Sequence, residues 1–205
     1  MNACLSLTME DAFARLGEGG MLVFPTETFY ALGCLPQDAR TLERLFAVKG
    51  RPPDRPLPLL AGDFWRVLES FALSPAEEAL CRRFWPGPLT VLLTPRIAFP
   101  DLIRNRRGRV AVRVSPHPVA AALASGCGLL TATSANISGR PPASRPEDLD
   151  EELLARLGEG DGVLPDLPHP EGGLPSTIVE LPEGEGGLRI LRQGAIPASM
   201  LAIGG

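Results

Sequence analysis

The sequence predicts an α/β fold, a twisted sheet with helices packed on it, and three observations carry that prediction. Apolar residues alternate along the chain between helical spacing and short continuous runs of strand length. Several helical stretches open on a capping residue followed three places later by an acid. Glycine and proline, 22 of each in 205 residues, punctuate these stretches without reaching the low-complexity range. That length suits one domain covering 1–205 and hides roughly 70% of the unfolded surface, so a core forms without staples. The connections are too irregular for a repeated βαβ array, and no internal repeat is present.

The elements follow in order. Met9, Ala12, Phe13 and Leu16 recur at helical spacing behind Thr8 as cap, with Asp11 closing a box and Gly19-Gly20 ending the helix. Residues 21–25 form a buried strand. Asp38 caps a second helix that turns Leu42, Leu45 and Phe46 inward and ends near Lys49. A short strand runs over 57–61. Ser74-Pro75-Ala76-Glu77 supplies cap, first-turn proline and box-closing glutamate, and that helix stops at Pro86-Gly87. Strands follow over 89–93 and 110–114, a helix over 119–124, and a strand over 129–133. A capped helix spans about 146–157, and late strands cover 176–181 and 188–191. The glycine-rich stretch 158–173 is expected to be a mobile loop.

Bulk numbers narrow the function. A formal charge of −4 is unlike a non-specific nucleic-acid binder, so RNA contact requires a local patch. Arg104, Arg106, Arg107, Arg109 and Arg113 offer one candidate, or else a solvated loop followed by a strand. Cys4, Cys34, Cys81 and Cys127 make no C-x-x-C pair, and the first residues show no charged-then-apolar leader. Both point to free thiols in a reducing, cytoplasmic setting. No apolar run is long enough to span a membrane.

Several sites are excluded. The glycine clusters at 17–20, 158–162 and 184–187 all miss the last position of G-x-G-x-x-G, and no G-x-S-x-G elbow exists. His117 and His169 are the only histidines and neither adjoins a cysteine, so no metal site is expected, although magnesium can arrive with a nucleotide. Lys49 is the single lysine among twenty basic side chains and follows Val48, so a Walker A loop is absent. With Arg51 it could close on one anion as a point charge beside a planar fork. It could equally be the residue that an arginine bias left on a solvated helix end. Around it lie loops rich in hydroxyls and amides: Thr26-Glu27-Thr28, Ser134-Ala135-Asn136-Ile137-Ser138 and Ser176-Thr177. Each could simply satisfy its own backbone. Together with Arg113, Lys49 and Arg51 they point to an anionic ligand in a crevice at the carboxyl ends of strands.

These residues resemble a known family. Phe24-Pro25-Thr26-Glu27-Thr28-Phe29-Tyr30-Ala31-Leu32-Gly33 resembles its signature strand and turn, and Lys49-Gly50-Arg51-Pro52 its K-x-R-P motif, with Pro56-Leu57 following. Trp85-Pro86-Gly87-Pro88-Leu89-Thr90, Arg109 to Val114, Ser134 to Gly139, Pro175 to Val179 and Leu191 to Gly194 match further blocks in order. The resemblance, over roughly 8–196, is to the YrdC/TsaC-like threonylcarbamoyl-AMP synthases in their short, single-domain form. It implies a twisted mixed sheet with flanking helices and a large open polar cavity. It implies an enzyme joining L-threonine, bicarbonate or carbon dioxide, and ATP with Mg2+ into threonylcarbamoyl-AMP and pyrophosphate. A separate transferase complex would then carry the product to tRNA.

By the same resemblance Lys49, Arg51, Ser134 and Asn136 form a catalytic tetrad. Lys49, Arg51, Asn136, Ser144 and Arg192 would contact the nucleotide, and Thr26, Arg113, Ser134 and Ser176 would hold threonine. Ala31 stands where the family has glycine, and Leu60 where many members carry histidine. The alternatives are a double-stranded RNA or tRNA binding module using the arginines from 104 to 113, and a carbamoyl-transfer domain of the hydrogenase-maturation type.

Overall fold

The structure, a computed structural model, describes residues 7–165, 167–182 and 187–201. Cys4 and the glycines at 184 and 186 lie outside the described residues. In chain order the elements are α1 Met9–Gly17, β1 Leu22–Pro25, β2 Tyr30–Gly33, α2 Ala39–Lys49, β3 Leu59–Ala61, α3 Phe64–Ser70, β4 Phe71–Ala72 and α4 Pro75–Phe84. They continue with β5 Leu89–Pro95, β6 Val110–Val114, α5 Pro118–Cys127, β7 Leu129–Thr131, β8 Thr133–Ser134, α6 Glu151–Ala155, β9 Gly162–Val163, β10 Thr177–Glu180, β11 Arg189–Arg192 and α7 Ala198–Leu201.

Local chemistry sets the helix starts. Thr8 and Ser74 each form a full capping box, with Asp11 and Glu77 reaching back to the cap. Asp38 caps α2 by accepting from the Thr41 amide.

Two mixed sheets result. One is ordered β8-β2-β1-β9, the other β11-β10-β5-β6-β3-β7, with β4 pairing beside β5. β1 runs antiparallel to β2 and parallel to β9, while β5 runs parallel to β10 and antiparallel to β6. β1 is buried on both faces, as a continuous apolar run requires. Leu22 and Phe24 join α1 and α5 in one apolar cluster, while Val23 joins α2 and the large sheet in the main core. Cys34, Cys81 and Cys127 are free thiols, and burial pushes Cys34 up to about 12.

Three expected elements differ. The strand over 129–133 is interrupted at Ala132: β7 belongs to the large sheet and β8 to the small one, and the Ala132 amide donates to Pro58 O at 2.9 Å. The chain thus stitches the two sheets together at the edge of the cleft described below. The helix over 146–157 is a 3-10 turn at Pro146–Asp148 followed by α6. Asp150 rather than the earlier residues is the cap; it accepts from the Glu152 and Leu153 amides and also from the Ile137 amide at 3.1 Å. The stretch 158–173 is more than a surface loop, because β9 pairs with β1 and the buried Asp161 accepts from the Met21 amide at 2.8 Å.

Candidate active site

The cleft is a product of strand alternation. On β6 Val110 and Val112 are fully buried, so Ala111 and Arg113 face the opposite side. On β5 Leu89 and Val91 enter the core and Thr90 faces the cleft; on β10 Val179 enters the core and Ile178 faces it. The short or polar residues on that face leave a cavity of about 320 Å³. Its far wall is Ala31, Thr133 and Ser134 from the small sheet. The cleft therefore lies against a sheet face between the two sheets, rather than only at strand ends as the sequence reading placed it.

Seven of the expected site residues line this cavity: Thr26, Arg51, Arg113, Ser134, Asn136, Ser176 and Arg192. Lys49 and Ser144 do not.

Gly50, in the left-handed conformation at φ 58°, ends α2 and turns the chain so that Lys49 and Arg51 leave in different directions. Arg51 runs along the wall, donating through Nε to Arg55 O at 2.7 Å, Nη1 to Thr133 Oγ1 at 3.3 Å and Nη2 to Pro56 O at 3.0 Å.

Lys49 goes underneath. It is 1% exposed, and Nζ donates to the carbonyls of Ser134 and of Asn136, the latter at 2.6 Å. Its own carbonyl accepts from the Ser138 amide at 2.8 Å. The lone lysine thus braces the loop that presents Ser134 and Asn136. Burial first, and then the charge of Arg51, bring its pKa down to about 7, with Asp150 opposing.

The remaining cleft groups are held with similar care. Asn136 Nδ2 donates to Ile137 O and Arg140 O at 2.9 and 2.7 Å, while its Oδ1 is buried without a partner among the described residues. Thr26 Oγ1 donates to Phe29 O at 2.7 Å and so closes the turn between β1 and β2. Ser176 Oγ lies 2.9 Å from Thr90 Oγ1, and Arg192 Nη2 donates to Ser176 O and Oγ at 2.8 and 3.0 Å.

Arg113 Nη1 contacts Glu27 Oε1 and Thr28 Oγ1, the latter at 3.4 Å. Burial lowers the pKa of Arg51 to about 10, with Arg55 and Arg192 adding to it. Arg192 is lowered by burial and by Arg113. Mutually repelling cations gathered in a cleft favour an anionic occupant.

Leu60 sits beside Arg113 in register and Ala31 opposite Ser134. Both line the cavity as apolar wall. Sequence reasoning overlooked Arg140, which lines the cavity and bridges Asp150 and Glu152. It follows the Ser134–Gly139 motif directly, which was the available signal. Glu27 was named within the signature turn without a role. No group of three or more His, Cys, Asp or Glu that could hold a metal ion occurs among the described residues.

The five-arginine patch is divided by the fold. Arg109 is paired with Glu77 and, at 3.7 Å, with Glu180, and Arg113 faces the cleft. Of the three left outside, Arg104 is paired with Asp101 and Arg107 lies 3.5 Å from Glu180. No helix among the described residues is long and apolar enough to cross a membrane.

Fold and cleft together define a mixed α/β protein with an arginine-lined site between two sheets. The family model Sua5_yciO_yrdC, described as "Telomere recombination", matches residues 14–194, and the chain belongs to that family. It is 38% identical over 191 residues to a protein of Chromobacterium violaceum named threonylcarbamoyl-AMP synthase, covering 91% of this chain and 93% of that one. A protein of Halorhodospira halophila with the same name is 42% identical over 171 residues, covering 80% and 88%. Among solved structures, P. abyssi Sua5 complexed with L-threonine matches with a TM-score of 0.83 and 32% identity. The match covers 94% of this chain but 56% of that longer one.

Proposed function

We propose that this protein is a threonylcarbamoyl-AMP synthase. The observation that carries the reading is the single cavity on which Arg51, Arg113 and Arg192 converge with Ser134, Asn136 and Ser176. The names of the relatives and the threonine complex of the Sua5 structure support it.

Threonine's amine adds to carbon dioxide, or to bicarbonate with loss of water, to give a carbamate. A carbamate oxygen then bonds to the α-phosphorus of ATP as the bond to the β-phosphate bridging oxygen breaks, releasing pyrophosphate. Both reactants are anions, so the site's work is to bring them together and to stabilise charge on phosphate oxygens.

Arg113 presents a planar fork suited to threonine's carboxylate. Thr26, Ser134 and Ser176 supply neutral donors and acceptors that stay unionised across physiological pH. Arg51 and Arg192 carry fixed positive charge for the triphosphate, and Asn136 Oδ1 is an acceptor free to take a ligand donor. Lys49 acts through the Ser134–Asn136 loop, and its direct contact with nucleotide, like that of Ser144, requires a side-chain rearrangement. Mg2+ arrives as the ATP complex, since arginines rather than carboxylates line the cavity.

The protein works in the cytoplasm, and its product passes to a separate transferase that modifies tRNA. Threonine-dependent release of pyrophosphate from Mg-ATP in bicarbonate tests the reading. ATP hydrolysis indifferent to threonine, or RNA binding without any release, counts against it.

A further inference from the structure

We infer that Glu27 is a positioning residue: held by Ser115, it orients Arg113 so that one edge of the guanidinium is presented to the amino-acid carboxylate. The inference rests on the reading of Arg113 as the threonine fork and says what makes that fork work.

Glu27 is absent from the cavity lining, whereas Arg113 is part of it. The two side chains are 11% and 9% exposed, so their ion pair is shielded on nearly all sides. Every hydrogen bond Arg113 makes to a described residue goes through Nη1, to Glu27 and Thr28. The parallel donors Nε–H and Nη2–H make none to the described residues. A guanidinium held at the Nη1 corner keeps its side-on edge for a second carboxylate, the geometry of a bidentate pair.

The support behind Glu27 is directional. His117 Nδ1 accepts from the Val119 amide at 3.3 Å, so Nε2 carries the proton and donates to Pro168 O at 2.7 Å. The His117 amide donates to Ser115 Oγ at 3.2 Å, and that hydroxyl in turn donates to Glu27 Oε2. Glu27 Oε1 then accepts from Arg113. Thr28, Glu27's neighbour, is tied through its carbonyl to the Gly172 amide at 2.8 Å. The carboxylate is thus fixed on its own backbone and by Ser115.

The test measures KM for threonine and for ATP in wild type, Glu27→Ala, Glu27→Gln, Ser115→Ala and Arg113→Ala, with thermal melting as a folding check. A lost charge-assisted hydrogen bond corresponds to a change of about tenfold or more. Glu27→Ala is expected to raise the threonine KM by that amount while leaving the ATP KM within about twofold. Glu27→Gln, which keeps an acceptor for Arg113, should recover most of the loss, and Ser115→Ala should fall between. The Glu27→Ala/Arg113→Ala double variant should be no worse for threonine than Arg113→Ala alone, because Glu27 acts through that residue. Equal rises in both KM values, or additive losses in the double variant, overturn the inference. If Glu27→Ala does not fold, Glu27→Gln and Ser115→Ala carry the same comparison. Should wild type release no pyrophosphate, the synthase reading fails; calorimetric threonine binding then decides the inference. Weaker binding in the Glu27 variants upholds it, and no binding by wild type or equal binding by all refutes it.

Discussion

Replacing Lys49 by methionine separates the cost of burying an ammonium from its service to the site. The ordinary value for lysine is 10.5, and in this fold Lys49 lies near 7. Between those values the unfolded chain binds a proton that the folded chain does not, so folding stability rises with pH across that window. Below it both states carry the charge and the full penalty stands, about 5 kcal/mol at about 1.4 kcal/mol per pH unit.

That penalty is net of the hydrogen bonds to Ser134 O and Asn136 O, because whatever they return to the ammonium already raises its pKa. At pH 6 nearly the whole penalty weighs on wild type and none on Lys49→Met, so the variant stands at its most favourable there relative to wild type. By pH 9 linkage returns about 3 kcal/mol to wild type alone, so the stability of wild type relative to the variant should rise by about that amount between the two pH values. Guanidinium unfolding of both proteins at pH 6 and pH 9 measures it. A stability difference unchanged between the two pH values would refute the placement of Lys49 beneath the loop. Turnover, by contrast, should collapse in Lys49→Met at both.

Three further outcomes are expected. ATP binding at pH 8 should take up protons, because the triphosphate favours the ammonium over the amine at Lys49; calorimetry in buffers of different ionisation enthalpy reads this, and Lys49→Arg should abolish it. Arg113→Ala should raise the threonine KM roughly tenfold or more with little change for ATP, and equal effects on both substrates would count against its assignment. Thr177→Val should cost about 2–4 kcal/mol in chemical denaturation, since the fully buried Oγ1 donates to Ile196 O and accepts from the amides of Gly194 and Ile196.

Much of the fold was legible because its signals were local. The boxes at Thr8 and Ser74 need only residues three apart, and β6 announces both its faces in Val-Ala-Val-Arg-Val. Several signature residues also acquire reasons. Trp85 donates to Leu89 O at 2.6 Å, which folds the Trp-Pro-Gly-Pro-Leu-Thr block onto itself. A Cβ on Gly33 would meet Thr131 O at 1.9 Å, and one on Gly194 would meet Pro175 O at 2.1 Å, so glycine at both positions permits backbone contact.

What escaped the sequence was non-local. The break at Ala132 depends on Pro58, more than seventy residues earlier in the chain. Asp150 becomes a cap while also holding the Ile137 amide, a pairing no local pattern reveals. The site was legible as residue types but not as layers. Lys49 reads either as an anion-closing partner of Arg51 or as a solvated helix end, yet it lies under the loop that presents Ser134 and Asn136, and Glu27 reads as one acid among many yet sits behind Arg113.

The most direct test is pyrophosphate release by the purified protein from Mg-ATP and bicarbonate, with and without L-threonine. Release that depends on threonine and is lost in Arg51→Ala is the predicted result. Release that proceeds equally without threonine, or none at all from a folded protein, contradicts the account.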